Sequence, residues 1–161
     1  AKAGIAGRAV ARRSTMADRI KMVAEMVNGD EEEPWVVWCS LNEESKQLAA
    51  AIKGAVELTG SDSPQKKDEK LTRFAKVNES TGKRGARVMV TKSEIAGFGL
   101  NWQFCNRMVF ASLTDSYERI YQAIRRCHRF GQTRPVHVRI ITTDAERAVS
   151  NNIKRKESNV R

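Results

Sequence analysis

Trp35-Val-Val-Trp-Cys-Ser-Leu-Asn-Glu-Glu-Ser-Lys-Gln-Leu-Ala-Ala-Ala-Ile-Lys-Gly-Ala-Val-Glu-Leu58 decides the fold. Its first five residues are a short continuous apolar run, read as a strand with both faces buried. Residues 43–53 follow with Leu48, Ala49 and Ile52 as a buried stripe at helical spacing, and residues 55–58 are a second short strand. Strand, helix, strand in so little chain calls for a parallel sheet covered by helices, because parallel neighbours need a crossover between them.

The alternation continues downstream. Pro64 suits the first turn of a helix, where its missing N–H has no partner to lose, and that helix runs through Leu71 and Phe74 to about Val77. A basic loop at 82–85, a strand at 87–90, a strand at 107–111, a long helix near 116–129 and a strand at 136–141 complete the pattern, with a closing polar helix expected at 144–156. The fold class is therefore α/β: a doubly wound, mostly parallel sheet of five to six strands with helices on both faces. Upstream, Ser14 is placed to cap a helix carrying Met16, Ile20, Val23, Met26 and Val27, which ends near Asn28-Gly29. The acidic run 30–33 reads as a solvated linker. Residues 1–33 are thus expected to be a helix and acidic linker from the preceding part of a parent chain, and 34–161 the domain. The start at Ala1, without a methionine, fits a segment of a longer protein.

Composition bounds the rest. The chain has 161 residues, 40% of them hydrophobic, enough for one compact core. No stretch approaches the roughly 20 apolar residues of a membrane span, and no charged-then-apolar leader appears. Cys39, Cys105 and Cys127 are odd in number and lack paired Cys/His spacing, so neither a disulfide framework nor a metal site is expected. A reducing, cytoplasmic setting fits. Basic residues number 29 against 19 acidic, and the imbalance is concentrated at residues 101–161, with twelve against five. Such a field attracts phosphates, in nucleic acid or in a nucleotide.

Ligands of doubly wound sheets sit beyond the carboxyl ends of the strands. The informative loops are then 40–42, 59–61, 91–101, 112–115 and 142–143, filled mostly by hydroxyl, amide and glycine residues. These suit phosphate oxygens and also ordinary turn capping. Two segments stand out. In Thr91-Lys-Ser-Glu-Ile-Ala-Gly-Phe-Gly-Leu-Asn-Trp102, Gly97 and Gly99 permit a sharp bend and close backbone approach, with Asn101 offering a bidentate amide. Phe98 and Trp102 suit either base stacking or the core. In Tyr117-Glu-Arg-Ile-Tyr-Gln-Ala-Ile-Arg-Arg-Cys-His-Arg-Phe-Gly-Gln132, Tyr117, Ile120, Ile124 and Cys127 share one helical face at about 100° per residue, and Gln122, Arg125, Arg126 and Arg129 gather opposite. No acidic residue lies within a turn of these arginines, so they repel one another unless an anion sits among them. His128 and His137 are read as structural.

The string Gln122-x-x-x-Arg126-x-x-Arg129 followed by Phe130-Gly131-Gln132 resembles motif VI of superfamily-2 helicases, and its wording is similar to the Swi/Snf-type branch. Gly97-Phe-Gly-Leu-Asn101 resembles that branch's motif V, 35–40 its motif IV, and Thr59-Gly60 the loop after the next strand. The resemblance covers about residues 35–142, and its extended wording looks most like DEAD/DEAH-type helicases carried by phages and prophages. It implies the second RecA-like (P-loop NTPase-type) lobe of a nucleic-acid-dependent ATPase, with ATP and Mg2+ bound mainly by an N-terminal RecA-like lobe. No G-x-x-x-x-G-K-[ST] and no acidic D-E-x-H box occurs in these residues, so the segment alone is expected to be inactive.

By that resemblance Arg126 and Arg129 are arginine fingers, Gln122 orients the nucleotide or the attacking water, and Gly97, Gly99 and Asn101, with Arg125, meet the nucleotide and couple it to the track. Ser40, Thr59, Gly60, Thr91, Lys92 and Ser93 are the implied contacts to nucleic-acid phosphates, with DNA preferred to RNA. Arg125 departs from the pattern, which usually has a small or acidic residue there, and the Trp-Asn-Pro element of Swi/Snf-type lobes is replaced by Leu113-Thr-Asp-Ser-Tyr117. The competing reading is a basic α/β module that binds nucleic acid without catalysis.

Overall fold

A computed structural model describes residues 13–95, 101–113 and 116–141. Among them the chain runs α1 (Met16–Asn28), β1 (Trp35–Cys39), α2 (Asn42–Ala51), β2 (Ala55–Leu58), α3 (Pro64–Ala75), β3 (Val88–Lys92), β4 (Arg107–Phe110), α4 (Tyr117–Ile124) and β5 (His137–Ile140). The five strands form one sheet in the order β2-β3-β1-β4-β5 with every pairing parallel. The chain builds β2 and β3 on one side of β1, then β4 and β5 on the other, so the winding reverses between β1 and β4. That is the doubly wound α/β fold expected from the alternation.

Strand alternation sorts the core into two layers. Val36 and Trp38 of β1 face Phe74, Trp102, Ile120 and Cys127 on the α3/α4 side. Trp35, Val37 and Cys39 face Ile20, Val23, Val27, Leu48 and Ile52 on the α1/α2 side. β1 is central, and all five of its residues are buried, which is why it reads as an unbroken apolar run. β5, at the edge, alternates exposed and half-buried. Among the described residues no helix is long and apolar enough to cross a membrane.

Local chemistry sets the helix starts. Ser63 accepts from Lys66 N at 3.2 Å, with Pro64 at the first helical position. Ser116 accepts from Arg119 N at 3.3 Å. For α1 the N-cap position is Thr15 rather than Ser14, and its hydroxyl accepts from Arg19 Nε at 3.0 Å.

Three further expectations change. The acidic run is not a solvated linker: Asp30 pairs with Arg107 Nε at 2.8 Å, Glu33 pairs with Arg107 and Arg134, and Arg87 donates to the carbonyls of Asp30 and Glu33. Together with α1, whose Ile20, Val23 and Val27 are core residues, this ties the segment from residue 13 onward to the sheet. The strand expected at 87–90 is shifted to Val88–Lys92, which takes Thr91 and Lys92 out of the loop. The helix expected to reach 129 ends at Ile124, because the backbone tightens to i−3 bonds, Arg126 N to Ala123 O and Cys127 N to Ile124 O, both 3.2 Å. That turn carries Cys127 into the core. Gly97, Gly99, Phe98 and the helix expected at 144–156 lie outside the described residues.

Candidate functional site

α4 and the turns after it bring Gln122, Arg125, Arg126, His128 and Arg129 around one cavity of about 370 Å³. The four residues grouped by helical periodicity are therefore together, although the helix stops at Ile124. His128 joins them, exposed on the lining rather than packed in the core. Arg126 is half-buried; burial lowers its guanidinium pKa from the ordinary value, and the charge of Arg129 lowers it further. Two cations so placed favour an anion between them. Arg125 is held differently: its guanidinium lies 4.4 Å from the ring centroid of Tyr121 and donates to the Tyr121 hydroxyl at 3.2 Å, and Tyr121 stacks on Tyr117. The aromatic stack gives this extra arginine a fixed posture at the rim.

The irregular segment beyond α4 is fastened by one side chain. Gln132 Nε2 donates to Cys105 O at 3.0 Å and Cys127 O at 3.2 Å, and its Oε1 accepts from Arg134 N at 3.1 Å. A second strap joins the two segments singled out in the sequence, since Trp102 N donates to Arg126 O at 2.8 Å. Trp102 itself is buried against Trp38 and Phe74, so it is core rather than a stacking platform. Asn101, one residue earlier, is exposed. Cys127 and Cys105 are buried neighbours in the same layer; hydrogen bonding to Cys105 and burial both push the Cys127 thiol up. Cys39, on the other layer, is pushed up to about 12 by burial and the Glu44 carboxylate.

A second cleft, of about 520 Å³, lies at the carboxyl ends of β2 and β3 and is lined by Thr59, Gly60, Ser61, Lys92, Lys46 and Ile95, among others. Asp62 shapes its loop, accepting from Thr59 N at 3.0 Å and from Lys70 Nζ at 2.7 Å. Of the residues assigned to phosphate contact, Thr59, Gly60 and Lys92 meet here. Ser93 follows, half-buried, whereas Thr91 is fully buried and donates its hydroxyl to Leu58 O at 3.1 Å. Ser40 stands apart. Its N–H donates to Glu44 at 3.0 Å and its hydroxyl lies 3.0 Å from Ser112 Oγ.

That last contact belongs to a buried network the sequence reading did not find. Glu44 Oε1 accepts from Ser40 N, from Leu41 N at 3.0 Å and from Ser112 Oγ at 2.8 Å, while Oε2 pairs with Arg19, which also donates to Ala111 O at 2.7 Å. Glu44 was not legible as a cap, because the N-cap position three residues before it is Leu41, without the side-chain oxygen that marks a capping box. Nor was Arg19 legible, since nothing beside an apolar stripe marks an arginine as buried. Lys46 and Ser61 were also missed in the second cleft.

Among the described residues no group of three or more His, Cys, Asp or Glu is placed to hold a metal ion. Among the described residues the arginine cavity has an amide, an imidazole and three guanidinium groups in its lining, a donor set that fits phosphate oxygens and not a cation.

The model of the helicase conserved C-terminal domain matches residues 18–131. An uncharacterized ATP-dependent helicase of Bacillus subtilis (strain 168), YqhH, is 42% identical over 55 residues, which are 34% of this chain and 10% of that protein. The chain thus spans about a tenth of the length of this curated relative. Among solved structures, the C-terminal domain of the DEAD-box protein Dbp5 superposes with a TM-score of 0.71 at 15% identity, covering 90% of this chain and 81% of that one. The C-terminal part of the Fun30 ATPase domain gives 0.66 at 20% identity, over 84% and 44%. A DEAD box protein from the hyperthermophile Methanococcus jannaschii gives 0.69 at 17%, over 87% and 37%. At these identities the structures speak for the fold, and they agree with a RecA-like lobe. The family match spans more than half of the sequence, and the chain belongs to the helicase conserved C-terminal domain family.

Proposed function

We propose that this chain is the C-terminal motor lobe of an ATP-dependent DNA helicase or translocase of the Swi/Snf-like branch, of phage or prophage type and acting in the cytoplasm. The observation that carries the reading is the convergence of Arg126, Arg129 and Gln122 on one cavity. Charge on the γ-phosphoryl oxygens grows during transfer, and guanidinium groups brought against it lower the barrier. Arg126 and Arg129 supply that charge to ATP held by an N-terminal lobe, Gln122 orients the nucleotide or the attacking water, and Arg125 adds a contact at the rim. Magnesium accompanies ATP on the first lobe, because the described lining of this cavity, with its three guanidinium groups, includes no carboxylate to hold it.

The motif V segment with Gly97, Gly99 and Asn101 couples nucleotide to track. Its junction with the arginine segment, Trp102 N to Arg126 O, supports this, as a displacement of the arginine turn pulls directly on the backbone beside Asn101. Thr59, Gly60 and Lys92 hold DNA phosphates at the second cleft with Ser93 next in the chain, whereas Ser40 and Thr91 have their side chains committed inward. The chain enters from the first lobe ahead of α1, which packs on the sheet as part of this lobe, and the lobe does not hydrolyse ATP alone.

A parent protein with both lobes tests the reading by DNA-stimulated ATP hydrolysis. Arg126→Ala and Arg129→Ala are each expected to lower kcat by about 10³-fold or more while DNA binding is largely kept. Unchanged turnover, with loss of DNA affinity and of salt dependence instead, would establish the non-catalytic basic module.

A further inference from the structure

Phe130 is 100% exposed, whereas the other exposed large apolar side chains, Met22, Val77 and Tyr121, reach 52%, 45% and 39%. Its position is fixed. Gln132 N donates to Arg129 O at 3.0 Å, closing a four-residue turn with Phe130 and Gly131 at its centre. Gly131 has φ +96°, the left-handed backbone that the second central position of such a turn needs and that a side chain disfavours. The Gly131 side of the turn rests on Gln103, 3.5 Å from where a Cβ would stand, and the Gln132 amide bonds pin the turn to Cys105 and Cys127. The protein thus pins the backbone that carries the phenyl ring and leaves the ring in water, where it forgoes the stabilisation that burial gives a large apolar side chain.

We propose that Phe130 is a docking anchor for the nucleotide-binding first lobe, seating in an apolar socket of that lobe beside the ATP phosphates when the lobes close. The inference rests on the motor-lobe reading. Continuity decides the occupant: Phe130 directly follows Arg129, its Cα roughly 3.8 Å from that of Arg129, so a body that carries a triphosphate to Arg126 and Arg129 approaches the same turn. Charge fixes the socket's surroundings. Arg125, Arg126 and Arg129 precede the ring by one to five residues and line the cavity, so its partner is apolar at the centre and anionic at the rim. Stacking on a DNA base is the less favoured occupant, because the cleft with Thr59 and Lys92 lies at the β2 edge of the sheet and the turn follows α4 on the β4–β5 side. Closure then buries Phe130 and aligns the arginines in one movement.

The test uses the two-lobe parent carrying Phe130→Trp, read by fluorescence with the unsubstituted parent subtracted, since Trp35, Trp38 and Trp102 are already buried. ADP with beryllium fluoride is expected to shift the added emission to the blue and cut acrylamide quenching severalfold, while DNA alone does neither. Phe130→Ala is expected to lower kcat/KM for ATP about tenfold, and Phe130→Leu to keep most of it. Emission that stays solvent-like with the analogue bound overturns the anchor, as does a shift produced by DNA without nucleotide. Arg126→Ala in the same parent separates the two ideas. If that variant abolishes turnover while the tryptophan stays exposed, only the anchor fails; if it leaves turnover intact, the motor reading fails with it.

Discussion

Replacing Glu44 by glutamine keeps the shape of the side chain and removes its charge. The amide oxygen still serves Ser40 N, Leu41 N and Ser112 Oγ, but Arg19, only 2% exposed, keeps a full positive charge with Ala111 O and Thr15 Oγ1 as neutral acceptors. Breaking one side of a buried pair costs about 3–5 kcal/mol, because the remaining charge stays buried after losing its Glu44 counter-charge. At about 2–4 °C per kcal/mol for a domain of this size, the midpoint of thermal unfolding is expected to fall by about 6–20 °C. Urea unfolding followed by tryptophan fluorescence is a direct assay, as Trp35, Trp38 and Trp102 are all buried and lie in both layers of the core. The double variant Arg19→Met with Glu44→Gln removes both charges and is expected to recover most of the loss, a coupling of at least about 2 kcal/mol. A Glu44→Gln protein within about 1 kcal/mol of the parent, or single effects that simply add in the double variant, would refute the reasoning.

Gln132→Ala leaves the carbonyls of Cys105 and Cys127 without their shared donor and is expected to cost about 1–3 kcal/mol in the same urea assay; a neutral result would mean that water replaces the amide. Burial pushes the Asp62 carboxyl up, but the Lys70 ammonium and the Thr59 N–H outweigh it and hold it below its ordinary value. Its contribution is therefore present above about pH 4, the unfolded carboxylate value, and is lost as pH falls through the lower folded value. The stability gap between the native protein and Asp62→Asn should close on acidification, and a gap constant from pH 6 to 2.5 would remove the ion pair from the account. On the proposed DNA track, Lys92→Ala is expected to weaken binding alike for all sequences and to reduce the log–log salt slope by about 1; a sequence-dependent loss would contradict phosphate contact.

Apolar patterning made the sheet legible, and each described strand lies within two residues of its expected place. It worked because β1, β3 and β4 are buried on both faces, so that Trp35–Cys39 and its neighbours read as runs without polar interruption. Boundaries failed where hydrogen bonding outside the segment decides them. α4 ends at Ile124 because Cys127 belongs to the core and its carbonyl is taken by Gln132, a partner five residues ahead that helical periodicity does not weigh. The acidic run read as solvated because its partners, Arg87, Arg107 and Arg134, are 54 or more residues away in sequence. The arginine cluster was legible through spacing. The inward commitment of Thr91 and Ser40 was not, since a hydroxyl at a strand end looks the same whether it faces a phosphate or a carbonyl.

The buried Arg19–Glu44 pair also explains where the two clefts are. In a doubly wound sheet the winding reverses between two neighbouring strands, and the gap opened there at the carboxyl ends is the usual seat of a ligand. Here the reversal falls between β1 and β4, and the residues that follow those strands, Ser40 and Ser112, meet each other at 3.0 Å over the Glu44 carboxylate. With Glu44 and Arg19 filling the gap, the crevice is closed by the protein's own charges. The candidate ligand groups lie on its flanks: hydroxyls, a glycine, two lysines and the Glu57 carboxylate on the β2–β3 side, guanidinium groups beyond α4 on the other. On the proposed reading such a lobe meets two anions at separate places, and the closed crevice between them is a rigid connection, because moving β1 against β4 would break the buried hydrogen bonds that Glu44 and Arg19 make to Ser40, Ser112 and Ala111. A displacement at one cleft is therefore passed to the other by the lobe turning as one body rather than by the sheet deforming.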